Sequence, residues 1–276
     1  MVKQLNMKRP KLKNHNDDKF LQENGFIVIH DFLSEKQLKS ADSIKENLML
    51  KHTTLDPVFW NSLWNVPEIE FERSSDDLLG LMKGNLDERL KDYEVPQVSI
   101  MVKLPGEHTA CYPHRDFSIL NEETNQYWNA WCPLIDIDDK IGPLYALRAS
   151  HIKLNHILAF NEKWPYIDYY KEVEKLSEHF KIKKGDLIIY CDRTVHGSVP
   201  NRTKRTRGNL HFGILPLNAD YKYYKKKEEQ ILVYDVDLSF YTQRKFKEYF
   251  EEKEDYKIDI NIPKFDSRDE FLNTFK

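Results

Sequence analysis

Few cysteines, few glycines and no long apolar run set the first limits on this chain. Its 276 residues include three cysteines, Cys111, Cys132 and Cys191, with no Cys-x-x-Cys spacing. An odd, scattered set supplies neither a disulfide framework nor a structural zinc site, and fits a reducing, cytoplasmic setting. No apolar stretch approaches the ~20 residues of a membrane-spanning helix, and Met1 to Lys13 lack the apolar segment of a signal peptide. An excess of one charge is also missing. The 42 Lys and Arg against 45 Asp and Glu leave −3, so no global field argues for a nucleic-acid partner. Nine glycines beside 13% aromatic residues mark an ordered globular chain rather than a linker-rich one.

What is present divides unevenly. Residues 1–16 are polar and basic and are expected to form a flexible arm, with 17–276 as a single domain. Within it the core runs over about 95–215, and 216–276 is a tyrosine- and lysine-rich decoration with a helix near Arg244 to Glu252. Asn24-Gly25 stops a short helix around Asp17 to Glu23, and Phe26 to Ile29 reads as a strand. Ser34 to Gln37 is a capping box opening a helix with Leu38, Ala41, Ile44 and Leu48 on one face. A second long helix is expected over Asp76 to Leu90.

From Val95 the period changes. Val98, Ile100, Val102 and Leu104 alternate with Gln97, Ser99, Met101 and Lys103, giving a strand with one greasy and one functional face, as in a barrel wall. Further strands are expected at Trp128 to Ile135, with Pro133 marking an edge or bulge, and at Leu144 to Leu147, Leu187 to Cys191 and Arg207 to Ile214. Residues 152–180 are an excursion, part helix and part loop. Lys222 and Lys225 to Lys227 read as a solvated face.

The chemistry gathers around His114 and Asp116. Two residues apart on an extended segment, they point the same way. Alone, a His-x-Asp is weak, because a buried histidine is more often hydrogen-bonded than metal-bound. A third candidate, His196, follows the strand Leu187 to Cys191 and is placed at the mouth of the barrel. Two imidazoles and one carboxylate on one face of a metal is the donor set of non-haem Fe(II), with positions left open. Zinc could use the same ligands, but the open face and a nearby guanidinium favour oxygen chemistry. That guanidinium is Arg207, which shares the polar face of its strand with Asn209 and His211 and suits two-point capture of a carboxylate.

At these residues the chain resembles the phytanoyl-CoA dioxygenase family of Fe(II)/2-oxoglutarate-dependent oxygenases. The resemblance runs from Phe20 to about Leu215, through Pro113-His114-Arg115-Asp116, Trp131-Cys132-Pro133-Leu134, Gly142-Pro143-Leu144 to Ser150-His151, Lys184-Gly185-Asp186, and His196-Gly197-Ser198-Val199-Pro200-Asn201 to Arg207. It departs at Ala149, where the family often has Gly. The resemblance implies a mainly β, α+β chain with flanking helices and a double-stranded β-helix (jelly-roll) core. It implies Fe(II) on His114, Asp116 and His196, and 2-oxoglutarate held by Arg207 with Ser198 in support. Trp131 would lie beside the cosubstrate, and Lys103 or Ser99 would touch it. Arg202 and Arg205 are rivals for the salt bridge, but strand face favours Arg207.

The expected activity is therefore a dioxygenase that uses O2 to hydroxylate a small organic molecule, releasing succinate and CO2. Related halogenases have a small residue where this chain has Asp116, which points to hydroxylation. Two alternatives stand beside it: a non-catalytic jelly-roll binding protein, and an oxygenase acting on a nucleic acid or a CoA- or phosphate-bearing substrate. No membrane partner is expected, and no motif names a substrate or an oligomeric state. The three cysteines are expected to be small buried hydrophobes. His151 and His211 are expected to make structural hydrogen bonds near the pocket.

Overall fold

The computed structural model describes residues 7–53, 56–245 and 254–275. Two antiparallel sheets face each other. The larger has seven strands, in the order Phe26–Ile29, Leu187–Cys191, Trp128–Pro133, Arg207–Pro216, Val98–Lys103 and Phe59–Asn61, with Tyr93–Glu94 pairing the far end of Arg207–Pro216. The smaller sheet runs Glu178–His179, Leu144–Ala146, His196–Ser198 and Cys111–His114. This is the expected double-stranded β-helix.

Strand alternation sorts the side chains into two cores. Val98, Ile100, Val102, Trp128, Ala130, Cys132, Leu210 and Phe212 leave the outer face of the large sheet and meet two helices, Glu35–Lys51 and Glu68–Arg89. Those helices bring Leu38, Ala41 and Leu48, and Phe71, Leu78, Met82 and Leu86. Each Val, Leu, Ile, Phe or Met among them, fully buried, contributes about 1.5–3 kcal/mol. The inner face turns Phe26, Trp131, Ile188 and Tyr190 toward Leu144 and Ala146 of the small sheet. The space between the sheets is where the functional face of each strand points.

Several local expectations hold. The capping box forms at Ser34 and Gln37. The first helix, His15–Asn24, ends on Gly25 at φ +85°, where a Cβ would come within 2.5 Å of His151 Nδ1. Glycine is required there twice over, by conformation and by space.

Others are corrected. The expected arm is ordered from residue 7: Lys8 bridges to Asn125, Lys11–Leu12 pairs with Leu90–Lys91, and Arg9 grips Asp18 with two bonds of 2.8 and 2.6 Å. The basic side chains among its described residues are therefore engaged with the domain, Lys11 with Asp92 and Lys13 with the Asp87 carbonyl. Residues 1–6 lie outside the described residues. The long helix starts at Glu68 rather than Asp76, because Phe71 continues the buried stripe one heptad back while exposed Ile69 and half-buried Leu79 blur it.

Trp128–Pro133 is a central strand, not an edge, and Pro133 is tolerated as its last residue. His196 does not end the strand Leu187–Cys191. The chain turns at Asp192-Arg193 and crosses to the small sheet, where His196 begins a new strand. The C-terminal region carries a three-stranded antiparallel sheet, Lys222–Lys227, Gln230–Asp235 and Tyr256–Asp259. Lys222 is not on a solvated face: its ammonium is buried against Asp220 (2.8 Å) and Asp235 (2.6 Å), while Tyr223 and Tyr224 pack into clusters on opposite faces. Most of the helix expected near Arg244 to Glu252 falls outside the described residues.

Candidate metal and cosubstrate site

Strand pairing builds the site. His196 and His114 are direct cross-strand partners, and Ala146 flanks His196 on its other side. Antiparallel neighbours put their side chains on the same face, so the two imidazoles meet with ring centroids 4.5 Å apart. Gly197 follows because a Cβ there would strike the Tyr145 ring (2.5 Å to Cζ) and the Cys111 carbonyl (2.7 Å). Asp116, just past the end of its strand, completes the trio. One donor atom from each of His114, Asp116 and His196 lies within 4.8 Å of the others.

Each donor is oriented from behind. His114 Nδ1 lies 2.8 Å from the Tyr112 carbonyl and His196 Nδ1 lies 2.9 Å from that of Thr194. Only a protonated Nδ1 can satisfy a carbonyl, so in both rings Nε2 is left for the shared space. Asn129 Nδ2 donates to Asp116 Oδ2 at 2.6 Å. Tyr190 packs its ring 4.5 Å from that of His196, and its hydroxyl lies 3.4 Å from His211 Nε2. The histidines differ electrically. Burial pushes His196 down to about 4, with Asp116 offsetting part of the shift. Burial also acts against a charged His114, but Cys111 (Sγ 3.9 Å from Nδ1) and then Asp116 outweigh it and raise the ring to about 10.

A second network holds the ligand segments from the far side. Arg115, between two candidate ligands, points away from them and is 2% exposed. It donates to Glu122 at 2.5 Å and to the His156 carbonyl. Arg193, on the turn before His196, reaches the same Glu122 carboxylate at 3.2 Å and its backbone carbonyl at 2.9 Å. Glu122 thus ties the His114–Asp116 segment to the His196 segment.

Behind the trio lie two buried basic side chains. Lys103 is fully buried, with Nζ 2.7 Å from the Val199 carbonyl and 3.4 Å from that of Ser198. Arg207 is its cross-strand partner. It donates to the Gly142 carbonyl, lies 5.1 Å over the Trp131 ring, and has no partner for Nε. Burial pulls Lys103 down to about 6, helped by Arg207, and Arg207 down to about 10, with Cys111 offsetting part of that shift. Among the described residues no carboxylate pairs with either. The rivals are elsewhere: Arg202 is exposed on Glu107, and Arg205 is exposed. Ser99 donates to the His211 carbonyl, at the other end of the strand from Lys103.

Ser198 is buried beside these basic side chains and turns its carbonyl to Lys103. Of the cysteines, Cys132 and Cys191 are buried, and burial raises both thiols. Cys111 is only partly buried. Burial would raise its thiol, but His114 and then Lys103 and Arg207 hold it below its ordinary value. His151 donates to the Gln22 carbonyl and is structural, whereas His211 lines the interior. Sequence reasoning missed Asn129, Tyr190 and Glu122. The first two were readable from alternation, since Asn129 shares a face with Trp131 and Tyr190 with Ile188. Glu122 carried no local signal.

Residues 61–209 match the family model described as phytanoyl-CoA dioxygenase (PhyH). No curated protein sequence matches the chain. Among solved structures it is similar to SnoK, described as a non-heme alpha ketoglutarate dependent carbocyclase from nogalamycin biosynthesis (TM-score 0.57, 20% identity, 75% of this chain and 86% of that one). It is also similar to the epimerase SnoN, in complex with Fe3+, alpha ketoglutarate and nogalamycin RO (0.52, 15%, 74% and 83%). A third is HygX from Streptomyces hygroscopicus with nickel and 2-oxoglutarate bound (0.52, 16%, 74% and 88%). At these identities the likeness bears on the fold.

Proposed function

The chain belongs to the phytanoyl-CoA dioxygenase family, and from that premise we propose that it is an Fe(II)- and 2-oxoglutarate-dependent oxygenase that hydroxylates a small organic molecule. The observation that carries this reading is the pairing of two features. A His-Asp-His trio has its donor atoms within 4.8 Å of one another, and next to it two buried basic side chains, the Lys103 amine and the Arg207 guanidinium, lack any carboxylate partner among the described residues. Burying a charge without counter-charge is costly: burial holds the Lys103 amine down to about 6 while Arg207 stays charged, and a dianionic keto acid would supply the missing charge to both.

The residues fit both groups. His114, Asp116 and His196 would hold the metal through Nε2, a carboxylate oxygen and Nε2. Arg207 and Lys103 would take the distal carboxylate, with the unpartnered Arg207 Nε as a donor in reserve and Ser198 alongside. When bound, Fe(II) and 2-oxoglutarate supply the oxidising power: O2 oxidises the keto acid to succinate and CO2 and leaves one oxygen atom for the substrate.

The rest is the protein's part. The Tyr112 and Thr194 carbonyls keep both imidazoles in the ligating tautomer. Asn129 fixes Asp116, which stands where a halide would need space. Trp131 covers the guanidinium face and keeps water from the ion pair that Arg207 would form. The Asp116 side chain is 29% exposed, so the trio remains reachable from outside.

Anaerobic addition of Fe(II) and 2-oxoglutarate is expected to give the visible charge-transfer absorbance of a chelated keto acid, and air to release succinate. Asp116→Ala should abolish succinate release and weaken Fe(II) binding, and Arg207→Gln should weaken 2-oxoglutarate binding at least tenfold. Protein that gives neither absorbance nor succinate is not such an oxygenase.

A further inference from the structure

At the end of the large sheet away from Arg207, its inner face borders a cavity of about 230 Å3. Asn129 and His211 form the wall it shares with the trio. Asn129 is the residue bonded to Asp116, and His211 neighbours the Tyr190 hydroxyl beside His196. Ser99 and Gly213 line the strand side. The roof is Tyr221 together with Leu238 and Tyr241, the last two from the helix Leu238–Thr242. All three roof residues lie beyond the 61–209 span that matches the family. Gln97 ties the roof down by donating to the Thr242 carbonyl at 3.2 Å.

Charge is missing from this lining: no Lys, Arg, Asp or Glu side chain contributes to it. Its polar groups are engaged with the protein, Ser99 with the His211 carbonyl and Gln97 with the roof. Burial lowers His211, which disfavours a charge on that ring. The volume is below the ~300–1,000 Å3 of pockets for drug-sized ligands. A charged group entering such a space would lose its water and find no counter-ion.

Resting on the oxygenase reading above, we propose that this cavity, next to the trio, receives an uncharged, largely apolar part of the small-molecule substrate, and that the roof beyond the family span sets its size. Phosphate- or CoA-bearing groups are excluded from it.

The test uses the full chain loaded with Mn(II) and 2-oxoglutarate, and reads the paramagnetic relaxation of probe protons against a Zn(II)-loaded control. The probes are benzyl alcohol, benzylammonium and benzenesulfonate. Benzyl alcohol should show at least tenfold greater enhancement than either charged probe. Gly213→Leu, which fills the cavity from a strand position with ordinary backbone angles, should remove that enhancement. Tyr241→Ala, which opens the roof, should admit 2-naphthalenemethanol, which the parent chain refuses.

The anaerobic Fe(II)–2-oxoglutarate absorbance is read on each protein. If it never forms, the oxygenase reading fails. If it forms while benzyl alcohol shows no enhancement, a charged probe matches it, or Gly213→Leu leaves it intact, the cavity proposal alone is overturned. Should Gly213→Leu fail to fold, refusal of 2-naphthalenemethanol by Tyr241→Ala overturns it equally.

Discussion

Replacing Glu122 by Gln removes one negative charge and almost no volume from the point where the two ligand-bearing segments are joined. In the native chain the Glu122 carboxylate is 5% exposed and faces two guanidiniums, Arg115 at 2.5 Å and Arg193 at 3.2 Å. The amide can still accept one hydrogen bond, and Asp192, 3.7 Å from Arg193 Nε, still opposes one charge. Arg115 is left buried with no carboxylate within reach. Breaking a buried ion pair on one side costs ~3–5 kcal/mol; with the residual contacts, roughly 3 kcal/mol is expected. At about 2–4 °C per kcal/mol for a chain of this class, the thermal midpoint should fall by roughly 6–12 °C.

The second consequence is specific to the site. Arg115 lies between His114 and Asp116, so its release loosens both donors against His196. Loss of such supporting contacts weakens metal binding by about 10–100-fold. Mn(II) titration calorimetry at a temperature where the variant is folded reads this directly. A midpoint within about 2 °C of the parent together with unchanged Mn(II) affinity would refute the idea that Glu122 joins the two segments.

Three further outcomes follow from the same geometry. Lys103→Met should raise the melting temperature of the metal-free protein, because a buried amine without a counter-ion is replaced by a thioether, yet weaken 2-oxoglutarate binding about tenfold; a drop in both would contradict its place as an anion receptor. Burial holds His151 down at about 4, against ~6.5 in the unfolded chain. Between those values the unfolded state binds the extra proton, so His151 leaves stability untouched above pH 6.5 and costs up to about 3 kcal/mol as pH falls toward 4. His151→Gln should flatten that acid slope in urea midpoints, and identical slopes would argue against it. Ala149 occupies the left-handed region at φ +59°, which costs a residue with a Cβ ~1–2 kcal/mol. Ala149→Gly should raise the urea midpoint by the equivalent of about 1 kcal/mol, and no gain would show that the turn is unstrained.

Much of the site was legible because it is written in strand alternation. Val98 to Lys103 and Arg207 to Ile214 declare their two faces, and with them the inward direction of Lys103, Arg207 and His211. The ligand candidates stood out for the same reason. What was hidden depends on pairing between distant segments. No spacing shows that His196 leaves one sheet for the other, since the turn at Asp192-Arg193 looks like a continuation of the strand before it. Glu122 sits in a polar loop whose composition suggests solvent, and only the approach of two arginines from separate segments makes it a buried anchor. The basic residues of the first 16 read as an arm because their partners, Asp18, Asp92 and the Asp87 carbonyl, are acceptors that composition cannot assign. The lysines of 222–227 concealed a strand because their tyrosine neighbours, not the lysines, carry its packing.

The pairing of His114 with His196 also bears on how the chain reaches its native state. These residues are far apart in sequence, and contacts of that kind close long loops and form slowly. A metal gripping both can bind only after that register is in place, so it has no hold on the unfolded chain or on a slipped pairing. Its stabilisation then follows mass action, growing with the logarithm of metal concentration above the dissociation constant. Refolding followed by metal uptake would time the closing of the small sheet, and chelation would expose how firmly that sheet stands on hydrogen bonds alone.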